Sequence, residues 1–430
     1  MTRPAPLHTI VSPYAGHNPI RFHIVCMGAQ GGEESPAGPG PADISIATLQ
    51  IAFLGFLGVR ESRSARPPYS QITASYRKMV RLRRERVRES HLSPTCPDAV
   101  TAGRGRGRPM CTGLRFTDAD GAMYFGRNLD WTQGYGERVV MTPPAAQVPA
   151  AFSRPDDAAR GHAVIGMGIL VGDLPLYFDC GNDAGLAVAG LNFPQSSRYA
   201  SEPAPGAVNV AAYEFPYWVT RNFSSLEEVR EALRDVTIVA KPVNDQLPVA
   251  SLHWLIGDRT GSVVVECVED GMHVFENDVD VLTNEPSFEW QRVNLRNYLT
   301  LSEAEPSPAT WGDATLAAFG SGMGLHGMPG DYSGPSRFVR AAFVNAHYPT
   351  QRGERENVTR LFRSLGSVFV PDGCARMGDG AFERTLYTSC FSAKTLTYYH
   401  AAYDDLSVRA YPLASCDLSA TRPTLVPAAA

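Results

Sequence analysis

The sequence predicts an α+β fold built mainly on antiparallel sheet. Three observations lead there. Short apolar runs come in pairs joined by tight polar turns. Only a few segments keep apolar residues at helical spacing. Strands and helices do not alternate in the regular order that parallel βαβ units require.

The elements follow in order. Cys111–Thr117 and Ala122–Leu129 read as strands joined by the turn Asp118-Ala-Asp-Gly121. Val164–Leu170 reads as a third strand. Tyr177–Cys180 and Leu186–Leu191 flank Gly181-Asn-Asp-Ala-Gly185 and repeat the hairpin grammar. His253–Ile256 and Ser262–Glu266 are joined by Asp258-Arg-Thr-Gly261, and further strands are expected at Val281–Thr283 and Thr395–His400. A capping box, Ser224-Ser-Leu-Glu227, opens a helix over Leu226–Val236. Phe288–Leu299 and Val358–Leu365 are two more helices.

Charge divides the chain of 430 residues in two. Residues 1–109 carry 15 Lys+Arg against 7 Asp+Glu, a net +8, and the rest carries 24 against 37, a net −13. The first part is rich in Pro, Gly, Ser and Arg and reads as a poorly ordered basic extension. Residues 110–430 read as the globular domain. The run Arg81–Arg88 would suit nucleic acid, but no aromatic residue interleaves with it, and nucleic-acid binding is not expected. No apolar run reaches the roughly 18–20 residues that span a membrane, and Thr48–Val59 has neither the length nor the flanks of a signal segment.

Eight cysteines form no CxxC pair and no zinc-like grouping with histidine. They are expected to be reduced, mostly buried thiols of a cytoplasmic protein, with no metal and no cofactor. Cys180, Cys267, Cys374 and Cys390 read as packed thiols, and His253 in its apolar strand as a satisfied structural histidine. Phe319-Gly-Ser-Gly-Met-Gly324 lacks the lysine and the βαβ setting of a phosphate loop and reads as a mobile loop.

Chemistry concentrates where the globular texture begins. Met110 stands directly before Cys111. A start at Met110 followed by removal of that Met would leave cysteine as the first residue. A free N-terminal cysteine pairs a thiol of ordinary pKa about 8.5 with an α-amine of about 7.7–8.0. The amine can take the thiol proton and later return one to a leaving amine. With Met110 retained, the same nitrogen is an amide and has no basicity. Residues 1–109 are therefore expected to be an upstream mis-assigned start, or to be removed, in an active protein.

Several blocks, taken in order, resemble the choloylglycine hydrolase family of bile salt hydrolases and penicillin V acylases. They are Cys111-Thr-Gly-Leu, Gly126-Arg-Asn-Leu-Asp130, Gly166-Met-Gly168, Gly185-Leu-Ala-Val-Ala-Gly-Leu-Asn-Phe-Pro194, Leu252-His-Trp254 and Val281-Leu-Thr-Asn-Glu-Pro286. Gly327-Met-Pro-Gly-Asp331, Pro335-Ser-Arg-Phe338 and Tyr387-Thr-Ser-Cys390 follow. The similarity runs from Met110 to about Pro412. It implies the four-layer αββα fold of N-terminal-nucleophile hydrolases, with two stacked antiparallel sheets. It also implies hydrolysis of a linear amide through a thioester on Cys111. In that likeness Arg127 lies beside the thiol and Asp130 holds the nucleophile and its amine. Asn192 and Asn284 take the oxyanion-hole positions. Arg337 is the second arginine, whose charge keeps the amine from staying protonated. A homo-oligomer, by family analogy a tetramer, is implied as well.

The substrate expectation is a small-molecule amide. Asn192 stands where bile salt hydrolases tend to carry Asn and penicillin V acylases Tyr, which favours glycine- or taurine-conjugated bile salts. Penicillin V and acyl homoserine lactones are the alternatives. The rival of another class is a non-enzymatic protein that binds nucleic acid through its basic extension.

Overall fold

The computed structural model describes residues 110–153 and 161–427. The basic extension and its Arg81–Arg88 run lie outside the described residues. In chain order the first strands are β1 (Cys111–Thr117), β2 (Met123–Trp131), β3 (Arg138–Thr142), β4 (Val164–Val171), β5 (Leu174–Asn182) and β6 (Ala187–Asn192). Next come β7 (Val208–Ala211), β8 (Val236–Val239), β9 (Leu252–Asp258), β10 (Gly261–Val268), β11 (Gly271–Glu276) and β12 (Val281–Leu282). The last are β13 (Ala309–Trp311), β14 (Ala314–Leu316), β15 (Ala375–Arg376), β16 (Phe382–Ser392), β17 (Thr397–Ala402), β18 (Asp405–Pro412) and β19 (Thr424–Leu425). The helices are α1 (Phe215–Asn222), α2 (Leu226–Ala232), α3 (Phe288–Asn294), α4 (Gly334–His347) and α5 (Glu354–Gly366).

Two antiparallel sheets dominate. The first has order β12-β1-β2-β16-β17-β18, with β15 on β16, and the second runs β11-β10-β9-β6-β5-β4-β3-β19. Side chains alternate across each strand with period two. In β6, Ala187, Ala189 and Leu191 face the main core while Val188 faces the outer helices. In β9, Leu255 faces inward and Trp254 and Ile256 face outward. A Cβ on Gly113 of β1 would meet Leu255 and Leu191, so β1 lies face to face with the second sheet. Trp218, Val219, Leu226 and Val229 of α1 and α2 cover the outer face of the second sheet. Phe338, Ala341, Val358 and Leu361 of α4 and α5 cover the first. The layers are therefore α, β, β, α, as the family likeness implied. Each such fully buried large apolar side chain contributes about 1.5–3 kcal/mol.

One close approach sets the strand that carries most of the chemistry. A Cβ on Gly126 would lie 2.1 Å from the Ser389 carbonyl oxygen and 2.8 Å from Leu361. Only glycine lets β2 lie this close to β16 and to α5 at that point.

Most strands expected from the sequence are present, with ends moved by a few residues. The capping box is displaced by one residue: Ser225 is the cap and its side chain accepts the Glu228 N–H. The helix is also shorter than expected, because Val236 already begins β8 and Leu233–Asp235 is a 3₁₀ turn. Phe288–Leu299 likewise splits into α3 and a 3₁₀ turn. Helices α1 and α4 had no expectation behind them. Both are interrupted in sequence by Pro at their first turn, which reads as a loop signal although Pro is well suited to that position.

Candidate active site

The β1–β2 hairpin brings the first residues together. Cys111 pairs with Leu129 in register, which places Arg127 and Asp130 beside it. Three positions apart on a strand, these two side chains leave opposite faces. Arg127 points between the sheets and Asp130 toward the side of α4.

Arg127 is buried, and each of its three side-chain nitrogens donates to an acceptor. Nη2 donates to Cys111 Sγ at 2.7 Å, Nη1 to the carbonyls of Gly190 at 2.5 Å and Phe178 at 3.2 Å, and Nε to Asn128 O at 3.3 Å. Burial alone would push the guanidinium pKa down, but the Cys111 sulfur, Tyr387, Asp179 and Asp130 hold it above its ordinary value. A fixed cation thus sits against the sulfur, placed to stabilise negative charge there. Behind it Asp179 accepts hydroxyls from Tyr387 (2.7 Å), Ser389 (2.8 Å) and Tyr398 (2.6 Å). That accounts for two residues of the Tyr387-Thr-Ser-Cys390 block. Thr388 turns the other way and donates to Asn128 Oδ1 at 2.7 Å.

Arg337 arrives from the first turn of α4. Asp331 accepts from Ser333 N at 2.9 Å and Ser336 Oγ at 2.6 Å, which fastens the helix start. The Ser333 and Ser336 hydroxyls, with the Ser333 N–H, hold its carboxyl down at about 2. A Cβ on Gly334 would lie 2.4 Å from the Glu285 carbonyl oxygen, so glycine lets α4 close onto the Asn284 turn. Arg337 then donates through Nη1 to the Cys111 carbonyl and to Thr112 Oγ1 (2.7 Å), and through Nη2 to Asn284 Oδ1 (2.7 Å). Burial pushes this guanidinium down, against the pull of Asp130 and Cys111.

Asn284 follows β12 and is held on both edges. Its Oδ1 accepts the Cys111 N–H at 2.7 Å as well as Arg337, and its Nδ2 donates to the Asn192 carbonyl at 2.8 Å. Two donors on one side and a carbonyl on the other fix which atom is oxygen. Asn192 ends β6, half-buried, with Nδ2 at 4.0 Å from Cys111 Sγ. Of the other five residues singled out in the sequence, Arg127 and Asn192 meet the Cys111 sulfur, Asn284 and Arg337 meet its backbone, and Asp130 stands on the strand paired with it.

Asp130 is the informative member. Thr385 donates to its Oδ1 at 2.6 Å, whereas its buried Oδ2 has no hydrogen-bond partner among the described residues. Burial raises its pKa to about 6, against the pull of Arg337, Thr385 and Arg127. The Asp130 N–H donates to the Met110 carbonyl at 3.1 Å, so Met110 pairs with the backbone of Asp130.

Sequence reading missed Glu383. It is a buried carboxylate on β16 that accepts the Met110 N–H at 3.2 Å. Nothing in Phe382-Glu-Arg-Thr385 distinguishes it from a solvated strand residue. Burial and the neighbouring Asp130 raise it from an ordinary 4.5 to about 8. In the folded chain Glu383 keeps its proton at pH values where the unfolded chain has lost it. Its contribution is fully present below about pH 4.5 and is lost as pH rises through about 8. Glu383→Gln in the chain that retains Met110 is expected to abolish that loss. Its stability relative to the parent should rise by on the order of 1–3 kcal/mol between pH 5 and pH 8.5. Thermal unfolding at the two pH values reads this, and a difference that does not change with pH would sink it.

The other thiols stand apart. Cys180, Cys267 and Cys390 are buried, and burial pushes all three thiols up, Cys267 to about 12. Cys374 was expected to be packed but is exposed, on the turn before β15. The strand pattern does not extend to that turn, so no apolar face is present to bury it.

A buried cation against a strand-end cysteine, inside an αββα sandwich, defines a cysteine amidohydrolase of the N-terminal-nucleophile class. Residues 111–426 match the model of the linear amide C–N hydrolases, choloylglycine hydrolase family, and the chain belongs to that family. The match begins at Cys111. A bile salt hydrolase/transferase of Bifidobacterium longum subsp. longum is 53% identical over 312 residues, which are 73% of this chain and 98% of that protein. A conjugated bile acid hydrolase of Lactobacillus acidophilus is 44% identical over 313 residues, 73% of this chain and 98% of that protein. Among solved structures, a variant of the conjugated bile acid hydrolase from Clostridium perfringens is 34% identical with TM-score 0.68, over 73% of this chain and 96% of that one. Penicillin V acylase from Agrobacterium tumefaciens shares the fold, with TM-score 0.58 at 19% identity over 73% of this chain and 90% of that one. Family membership makes the chain an enzyme and removes the non-enzymatic reading.

Proposed function

We propose that the chain, when it begins at Cys111, hydrolyses the amide bond of glycine- and taurine-conjugated bile salts. The observation that carries the reading is the pairing at Cys111: its sulfur lies 2.7 Å from Arg127 Nη2, and its nitrogen lies 2.7 Å from Asn284 Oδ1. Nucleophile and future base share one residue, and each already has a fixed partner. The bile salt and bile acid activities named for relatives at 53% and 44% identity support the substrate class.

In this reading Cys111 Sγ attacks the amide carbonyl carbon while the α-amine takes the thiol proton. Asn192 and Asn284 donate to the oxyanion. The C–N bond breaks, the ammonium returns a proton to the leaving glycine or taurine nitrogen, and a thioester remains. Water, deprotonated by the same amine, attacks the thioester and releases the bile acid. Arg127 stabilises sulfur charge through each step. Arg337 disfavours a permanently charged ammonium, and Asp130 Oδ2 gains the freed amine as its missing partner. Trp131, Tyr135 and Phe178 form an aromatic run beside Arg127, with ring centroids 6.4 and 5.6 Å apart, suited to an apolar acyl group.

Residues 1–109 are absent from the active protein in this proposal, and synthesis starts at Met110. The intact mass and N-terminal sequence of the protein from its native host test this directly. A terminus at Cys111 is expected, and intact peptides from residues 1–109 in the active species would refute it. Assays of that species with glycocholate, taurocholate and penicillin V then test the substrate class. Penicillin V turned over faster than both bile salts would reverse the preference read from Asn192.

Two further parts belong to the same proposal. A homo-oligomer, a tetramer by family likeness, is supported by apolar side chains displayed on and after the β13–β14 hairpin: Trp311 is 75% and Phe319 98% exposed. A cytoplasmic location is supported by six free cysteines among the described residues. No helix among the described residues is long and apolar enough to cross a membrane.

A further inference from the structure

His253 lies outside the cysteine's own contacts yet touches the residue before Asn284 and the residue after Asn192. It sits on β9, where Trp254 and Ile256 point to the outer helices, so His253 points inward with Leu255. It is fully buried. Nε2 lies 2.7 Å from the carbonyl of Thr283, the residue before Asn284. A carbonyl only accepts, so Nε2 carries the hydrogen. Nδ1 faces Glu266 Oε1 at 3.0 Å, on the neighbouring strand β10. The same Glu266 oxygen accepts the N–H of Phe288, the first residue of α3, at 2.9 Å.

The histidine–glutamate pair therefore grips both ends of segment 283–288, which carries Asn284. It also reaches the other asparagine. The His253 ring stacks on Phe193, directly after Asn192, with centroids 4.2 Å apart and planes 5° from parallel. In register, Leu191 pairs with His253 and Asn192 with Leu252. One imidazole thus references two donor groups that come from different sheets.

We propose that His253, backed by Glu266, is a positioning residue that sets the distance between Asn192 and Asn284 for the oxyanion. The proposal rests on the reading of those asparagines as oxyanion donors. It does not make His253 a proton carrier: both of its nitrogens are engaged and neither faces the sulfur. A donor pair loosened by a fraction of an ångström loses transition-state stabilisation more than substrate binding.

The test uses enzyme with Cys111 as its first residue and glycocholate as substrate. His253→Phe keeps a flat ring on Phe193 and removes both ring hydrogen bonds. It is expected to lower kcat by about 10- to 100-fold with KM changed less than about threefold. His253→Gln can still donate to Thr283 O and should recover most of the loss. Alkylation of Cys111 by iodoacetamide should proceed at the parent rate in both variants, since Arg127 is untouched. The double variant His253→Phe/Asn284→Ala should be no slower than Asn284→Ala alone, because the histidine acts through that residue. Parent kcat in His253→Phe, losses that multiply in the double variant, or alkylation that slows in step with turnover would each overturn the inference. Parent kcat in Asn284→Ala would instead overturn the oxyanion assignment, and this inference with it. Should His253→Phe fail to fold, Glu266→Gln decides: it keeps an acceptor for Phe288 N–H and loosens the ring. A smaller loss confined to kcat is expected there, and parent kcat in the folded protein counts against the proposal.

Discussion

Enzyme that retains one uncleaved residue before Cys111 is expected to lose at least ~10³-fold in kcat/KM for glycocholate. Two causes add. The α-nitrogen becomes an amide and cannot take the thiol proton. The retained residue also occupies the space beside Asp130, as Met110 does here, with its carbonyl on the Asp130 N–H and its N–H on Glu383. Asp130 Oδ2 then stays buried without its partner. The comparison needs two proteins that differ only in that residue, confirmed by intact mass. Far-ultraviolet circular dichroism and the iodoacetamide rate at Cys111 check that fold and sulfur are intact. Turnover within about tenfold of the free-cysteine form would remove the amine from the mechanism, leaving Arg127 and solvent to activate the thiol.

Only Cys111, behind Met110 where the globular texture begins, was legible from local chemistry; the site roles of the other five residues came from the family likeness. Cys111, Arg127 and Asp130 share one hairpin, and hairpin register follows from alternation and turn chemistry. Asn192 and Asn284 both stand at strand ends before Pro-containing turns, where Asn is common for turn chemistry alone, so their local context gave no site role. Arg337 was placed by family likeness as well. Its helix starts with Gly-Pro, so periodicity gave no warning that it would be buried against Cys111.

What stayed hidden depends on contacts far apart in sequence. Glu383 and Asp179 reach the site only because β16 lies beside β2 and β5 lies opposite, and no local pattern encodes either neighbour. His253 read correctly as a satisfied buried histidine. What it is satisfied by, a carbonyl in one sheet and a carboxylate in the other, could be known only from packing. The layer order was hidden for the same reason: alternation tells which face of a strand is apolar, not which second layer covers it.

Asn284→Asp is the variant that separates donor from scaffold at this position. The side chain of Asn284 serves three described neighbours: Oδ1 accepts from Cys111 N and Arg337, and Nδ2 donates to Asn192 O. Aspartate is isosteric and still accepts from the first two, with a buried Arg337 to offset its charge. It cannot donate, and it sets a negative charge where the oxyanion would form. A fall in kcat of at least ~10²–10³-fold is expected, the size seen when one oxyanion donor is lost. Stability should change by only about 1–3 kcal/mol, from the unpaired Asn192 carbonyl. Asn284→Ala should lose comparable activity while also freeing the Arg337 donor, so it should be the less stable of the two. If Asn284→Asp kept kcat within tenfold of the parent, the Asn284 amide would be serving only to hold Cys111 and Arg337. The oxyanion would then have to be met by Asn192 and backbone alone.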